Sequence, residues 1–219
     1  MSVRPEVRDR YLREHQADPV EAWLGCVPAR FKGARIDQLE EGLQAAVRDW
    51  VDTNDPLCTL IFDGAYGVGK TYAAYAALLE AVRAGMRVEA WTAIDLLDAL
   101  RGRNADEDDG AYKRLCRVPV LLLDDLGAEK MSEWTQERLV GLVDARWREA
   151  LRLIVTTNST EEMEAKVGPR AYDRLADESC SLSLSVKGRS RRRPGAQPGG
   201  AKPGGAKPRP AGLDEAANF

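Results

Sequence analysis

Histidine is nearly missing from this chain: His15 is the only one in 219 residues. Metal sites built on histidine and cysteine are therefore not expected, and histidine acid–base catalysis would need that one outlying residue. Carboxylates must do the chemistry. The four cysteines, Cys26, Cys58, Cys116 and Cys180, are scattered and form no Cys-x-x-Cys pair. That spacing fits free thiols in a reducing cytosol. No apolar run approaches the roughly 18 residues a transmembrane helix needs. The start, Met1 to Arg10, is charged and lacks an apolar core. Neither a membrane partner nor a signal peptide is expected, and the expected location is cytoplasmic.

The length suffices for one full core. A single α/β domain is expected over residues 27–187, preceded by an extension over 1–26 and followed by a tail over 188–219. Net charge is −3 but unevenly spread. Residues 187–219 hold eight Lys or Arg against two acids, leaving 24 basic against 33 acidic residues in 1–186. An acidic body with a basic tail points to a nucleic-acid contact or to self-association through opposite charge. The tail contains a loose Gly-Gly-Ala-Lys-Pro repeat that no bulky apolar residue breaks. It cannot offset the entropy of folding, so disorder is expected. Basic disorder tracks phosphate backbones; a solubilising tail without a partner is the alternative. No aromatic residues interleave the repeat, which gives no support for base stacking.

The richest stretch is Gly64-Ala65-Tyr66-Gly67-Val68-Gly69-Lys70-Thr71, which fits G-x-x-x-x-G-K-[ST], the phosphate-cradling P-loop. The apolar run Leu57 to Phe62 before it reads as a buried strand, and Tyr72 to Ala84 after it as a helix with Gly85 as a natural stop. Small residues let the backbone curl so that its N–H groups face the β- and γ-phosphates, and the helix start adds positive potential there. Lys70 would place a charge on those oxygens, and Thr71 would offer its hydroxyl to Mg²⁺. A glycine-rich turn that matches by chance is the competing reading.

Two further strands carry polar tips. Val118 to Leu123 is an apolar run ending in Asp124-Asp125. It suits a parallel strand covered on both faces, with its charges at the carboxyl edge where open α/β sheets bind ligands. Asp124 would hold Mg²⁺ through water, and Asp125 would orient or deprotonate the attacking water. Leu151 to Thr157 ends in Asn158, whose amide would bond the γ-phosphate or the lytic water. Asn at a strand end is otherwise an ordinary turn residue. Arg170 and Arg174, four apart, would share a helix face; a surface pair on a solvated helix is the alternative.

Elsewhere, residues 1–26 read as a helix-prone piece broken near Asp18-Pro19, with Tyr11, Leu12, Val20, Trp23 and Leu24 as apolar contacts, either a partner-binding helix or one that packs on its own domain. An amphipathic helix is expected from Ile36, through Leu39, Leu43, Val47 and Trp50. Arg87 to Trp91 gives a strand, and Thr92 caps the helix after it. Asn104 to Gly110 reads as an acidic loop. Ser132 opens a helix bearing Leu139, Val143 and Trp147. Ser181 to Val186 alternates, as a half-buried edge strand does. Tyr72 and Tyr75 read as core.

The order of these pieces resembles the AAA+ ATPases of the DnaC/IstB type, which comprises bacterial and phage helicase loaders and transposition helpers. The resemblance runs from about Val27 to Arg191. It rests on Pro28-Ala29-Arg30-Phe31, Lys70-Thr71, Asp95-Leu96-Leu97, Asp124-Asp125-Leu126-Gly127, Arg146-Trp147, Thr156-Thr157-Asn158, Gly168 to Leu175 and Gly188-Arg189-Ser190-Arg191. It implies a three-layer P-loop NTPase sandwich with a parallel sheet, MgATP between subunits and an arginine finger in trans, a position that Arg174 matches. Arg170 is its less certain companion. Ala65-Tyr66 replaces two prolines frequent in the family, and the usual helical lid is minimal or absent. The implied activity is that of a DnaC-like ATPase loading a replicative helicase on single-stranded DNA. The alternatives are an IstB-like transposition helper, and a nucleotide-gated adapter with little turnover. A small P-loop kinase is a weaker rival, against which Thr156-Thr157-Asn158 argues.

Overall fold

The computed structural model describes residues 18–52, 57–100, 105–127 and 131–188. Five short strands form one sheet: β1 (Thr59–Asp63), β2 (Val88–Thr92), β3 (Val120–Asp124), β4 (Arg152–Thr156) and β5 (Ser181–Ser185). All their pairings are parallel, in the order β2-β3-β4-β1-β5. Parallel neighbours need crossovers, and the crossovers are helical. Among the described residues the α-helices in chain order are α1 (Pro19–Cys26), α2 (Glu41–Val51), α3 (Lys70–Arg83), α4 (Ala93–Leu100), α5 (Ala105–Leu115), α6 (Glu133–Arg148), α7 (Thr160–Val167) and α8 (Pro169–Leu175).

Strand side chains alternate between faces. Leu60, Phe62, Val120, Leu122 and Ile154 join a core with α1, α2 and α3. Ile61, Leu121, Leu123, Leu153 and Val155 join a second core with α4, α6, α7 and α8. The sheet is thus covered on both sides, as unbroken apolar strands require, and the expected three-layer sandwich is present. Trp23 of α1 is 1% exposed and stacks toward Tyr75 of α3, with ring centroids 6.3 Å apart. Phe31 also stacks on Tyr75, with ring centroids 4.8 Å apart. The helix at Pro19 therefore belongs to the same core as the P-loop helix. Tyr11, Leu12 and the tail beyond Gly188 lie outside the described residues.

Three local expectations change. The helix expected from Ile36 starts at Glu41, after a single 3₁₀ turn over Ile36–Gln38. Ile36 is buried all the same, so the apolar spacing reported burial there rather than helix. The expected loop over Asn104 to Gly110 is largely the start of α5. Its acidic run stands at the helix's amino end and Lys113 and Arg114 occupy its last turn, the arrangement a helix dipole favours. Within α6, Leu139 and Val143 are buried, but Arg146 rather than Trp147 turns inward. Other expectations stand: Thr92 Oγ1 accepts the Asp95 N–H at 3.0 Å, Ser132 caps α6, and β5 is an edge strand.

Candidate nucleotide-binding site

The sheet order decides the site. β3, β4 and β1 are adjacent, so their carboxyl ends place Asp124, Asn158 and the loop Gly64–Gly69 side by side. The loop needs its glycines: Gly64, Gly67 and Gly69 have φ of 141°, 82° and 118°, a region L side chains avoid. At Gly64 a Cβ would also lie 2.5 Å from the Val186 carbonyl oxygen. Gly69 forms the cap from which α3 starts at Lys70, so this helix's unpaired N–H groups face the loop.

Lys70 is 6% exposed. Its Nζ donates to the Gly64 carbonyl (2.8 Å), the Ala65 carbonyl (2.9 Å) and Asn158 Oδ1 (2.8 Å). Asn158 Nδ2 in turn donates to Asp125 Oδ1 at 3.0 Å. One chain of bonds thus links the lysine, the amide and the second carboxylate. Asp125 has φ 62°, a left-handed conformation that aspartate tolerates and that is enriched at functional sites. Its N–H donates to Thr156 Oγ1 at 2.8 Å, and that hydroxyl donates to Asp124 Oδ1 at 2.7 Å.

Burial pushes the Asp124 carboxyl above the ordinary aspartate range, and the neighbouring Asp125 adds to this. Hydrogen bonds from Thr156 and Thr71, and the Lys70 charge, oppose the rise. Asp124 and the Thr71 hydroxyl are therefore neighbours, and both offer hard oxygen donors. Two such donors leave coordination positions for water and phosphate, the set that suits Mg²⁺.

These groups line a cavity of about 340 Å³, within the range of small-molecule sites. Tyr66, Gly67, Gly69, Lys70, Thr71, Asp124, Asp125 and Asn158 are all on its wall. Sequence reasoning missed part of that wall. Arg30, Phe31, Tyr72 and Thr156 also line it. Tyr72, read as core, faces the cavity edge, and its hydroxyl donates to the Gly33 carbonyl at 2.7 Å and is bonded to Gln38. Arg30-Phe31 was visible only as a family signature, because nothing local tells a 3₁₀ turn that it will close over a loop some 35 positions later. Tyr66 is 74% exposed.

Arg174 lies elsewhere. It closes α8 and shares a small crevice with Cys58, Thr59 and Trp147, at the amino edge of the sheet. Five residues of β1 separate that edge from the P-loop, about 16 Å at the usual strand rise. Arg170 is exposed on the same helix. The scattered cysteines are also partly gathered: the Cys58 N–H donates to the Cys180 carbonyl at 2.7 Å. The Cys58 thiol is pushed up to about 11, first by burial and then by Cys180.

A phosphate-binding loop, an acidic strand end and a polar amide at the carboxyl edge of a β2-β3-β4-β1-β5 sheet define a P-loop nucleotide-binding protein of the AAA+ class. Residues 36–194 match the family described as IstB-like ATP binding protein, and the chain belongs to that family. Replicative helicase loader DnaC of Escherichia coli K12 is 29% identical over 133 residues, covering 58% of this chain and 54% of the relative. An insertion sequence IS5376 putative ATP-binding protein of Geobacillus stearothermophilus is 29% identical over 141 residues, 61% of this chain and 55% of its own. The chain thus spans about half the length of the curated relatives it matches. A crystal structure of the DnaC helicase loader superposes with a TM-score of 0.64 at 25% identity, over 73% of this chain and all of that one. AMPPCP-bound DnaA from Aquifex aeolicus superposes with a TM-score of 0.62 at 18% identity, over 70% of this chain and 49% of that one, a likeness of fold. Among the described residues no helix is long and apolar enough to cross a membrane.

Proposed function

We propose that this chain is a Mg²⁺-dependent ATPase that loads a replicative helicase during DNA replication, with nucleotide state controlling its assembly on the helicase and on single-stranded DNA. The observation that carries the ATPase reading is the bonded chain Lys70–Asn158–Asp125 beside Asp124 in one cavity. The loop N–H groups and Lys70 would hold the β- and γ-phosphates. Thr71 and Asp124 would hold Mg²⁺, which would supply positive charge against the phosphate oxygens. Asp125 would accept a proton from an attacking water and Asn158 would help orient it. Arg174 is too far from its own cavity to serve it, so it would act on the nucleotide of an adjacent copy, and assembly would then place ATP between subunits. Arginine fingers are worth on the order of 10³–10⁵ in rate, so an isolated subunit should turn over slowly.

The test separates binding from turnover. Lys70→Ala should abolish ATP binding by equilibrium titration. Arg174→Ala should leave binding intact and suppress phosphate release. Equal loss of binding in both variants contradicts the division of roles.

The likeness to an insertion-sequence ATP-binding protein favours a second reading, a transposition helper with the same ATPase core. Co-purification with a hexameric helicase supports loading, and co-purification with a transposase supports the alternative.

A further inference from the structure

The cavity accounts for the carboxylates and the P-loop but not for the surroundings of Arg174. The Arg174 guanidinium lies over the Trp147 ring, 4.6 Å from its centroid. Its Nε is 3.5 Å from Asp144 Oδ1, an ion-pair distance with no hydrogen bond, and Nη1 pairs with Asp173. Trp147 is itself fixed, its Nε1–H donating to Asp177 Oδ2 at 2.8 Å. Asp177 is in turn bonded by the Ser179 N–H at 3.0 Å and the Ser179 hydroxyl at 2.6 Å. The indole therefore has its rotamer pinned from the loop before β5, while 39% of Trp147 remains exposed. A fixed, partly exposed indole under a partly buried arginine is more than core packing demands.

We propose that Trp147 is a positioning residue for trans action: its ring holds the Arg174 guanidinium flat and pre-oriented, ready to meet the nucleotide of an adjacent copy. This rests on the reading of Arg174 as an arginine finger. The plane of a guanidinium determines which phosphate oxygens its N–H groups reach. Stacking on an indole restrains that plane while leaving the N–H edge in the plane to bond. Asp144 and Asp173 neutralise the cation from the edge, and a phosphate can replace them there without disturbing the stacked face. Arginine without the ring would keep its charge and lose its orientation, and a misplacement near 1 Å can cost roughly 10²-fold in rate.

Mixed subunits test this with MgATP and a single-stranded oligonucleotide present, reading phosphate release. A Lys70→Ala chain cannot bind nucleotide but carries the finger; an Arg174→Ala chain binds nucleotide but lacks it. Their equimolar mixture should exceed the sum of the two separate rates by at least about tenfold. With Trp147→Ala added to the Lys70→Ala donor, the recovered rate should fall by about tenfold or more. Trp147→Phe in the donor, which keeps a ring face, should retain most of it, and Trp147→Leu, which keeps bulk without a ring, should not. The same Trp147→Ala change placed on the Arg174→Ala acceptor should leave recovery intact, since that chain contributes no finger. Absence of recovery in the first mixture overturns the finger reading itself. Recovery that is unaffected by donor Trp147→Ala and Trp147→Leu overturns this inference and leaves the finger standing. Equal loss from donor and acceptor substitution also overturns it, by showing a folding role.

Discussion

Asp124 illustrates how a single side chain serves two opposed demands. Held in the bonds of Thr156 and Thr71, it is largely withdrawn from water, and its carboxyl is raised by that burial. A raised carboxylate favours its neutral form in the folded protein, so ionising it works against folding. The penalty is absent below the unfolded pKa and complete above the folded one. In metal-free protein, Asp124→Asn should therefore raise the melting temperature at pH 7, with a gain that shrinks as the pH falls through the folded pKa toward the ordinary aspartate range. Thermal melts of both proteins across pH 4–8 check this. A gain that grew on acidification would reverse the sign. The same substitution should weaken Mg²⁺-dependent ATP binding, because an amide is a poorer cation ligand. On the proposed reading, stability and function pull apart at this residue; Asp125, beside it, has a left-handed backbone, a conformation enriched at functional sites.

At the scale of elements, α6 does two jobs with consecutive residues. Arg146 is 1% exposed and donates to the carbonyls of Leu115 (2.7 Å), Val118 (2.8 Å) and Arg152 (2.6 Å). Burial lowers its pKa to about 10, so it remains charged at neutral pH. The fork ties the end of α5 to the entries of β3 and β4, and so sets how Asp124 and Asn158 arrive together. Arg146→Met should destabilise the fold by about 3 kcal/mol or more, since several buried carbonyls lose their donor at once. Urea unfolding measures it, and a loss under about 1 kcal/mol would remove the pinning role. Arg146-Trp147 was legible in sequence as a pair, but not as one residue facing in and one facing out. An i,i+1 pair diverges by about 100° around a helix, and only the neighbouring elements say which of the two meets the core. The helix expected from Ile36 failed for a related reason. Ile36 and Leu39 pack against the body at helix-like spacing, yet the chain turns between them and α2.

For the whole molecule, charge and arrangement matter more than any one bond. Residues 187–219 are net basic, while the rest of the chain is net acidic. If this segment meets single-stranded DNA, deleting residues 189–219 should flatten the dependence of log affinity on log salt, by about 0.7 for each phosphate the tail neutralises. Fluorescence anisotropy with a labelled oligonucleotide at several salt concentrations reads the slope directly. An unchanged slope assigns DNA binding to the folded body instead. Nucleotide binding at one end of the sheet and Arg174 at the other give the molecule two unlike faces. That polarity is what a head-to-tail assembly uses.

By itself the chain's sequence determined the glycine loop that matches a P-loop, the carboxylates at the end of one apolar strand, the amide at the end of another, and the covered parallel sheet that such strands require. These are local properties, fixed by glycine conformation, side-chain chemistry and unbroken apolar runs. Only the tertiary structure decided that β3, β4 and β1 are neighbours, that Arg30, Phe31 and Tyr72 close the same cavity, that Cys58 meets Cys180, and that Trp147 lies under Arg174. Each of those depends on which distant segments pack together, and packing is chosen by the fit of whole surfaces that no short window of sequence contains.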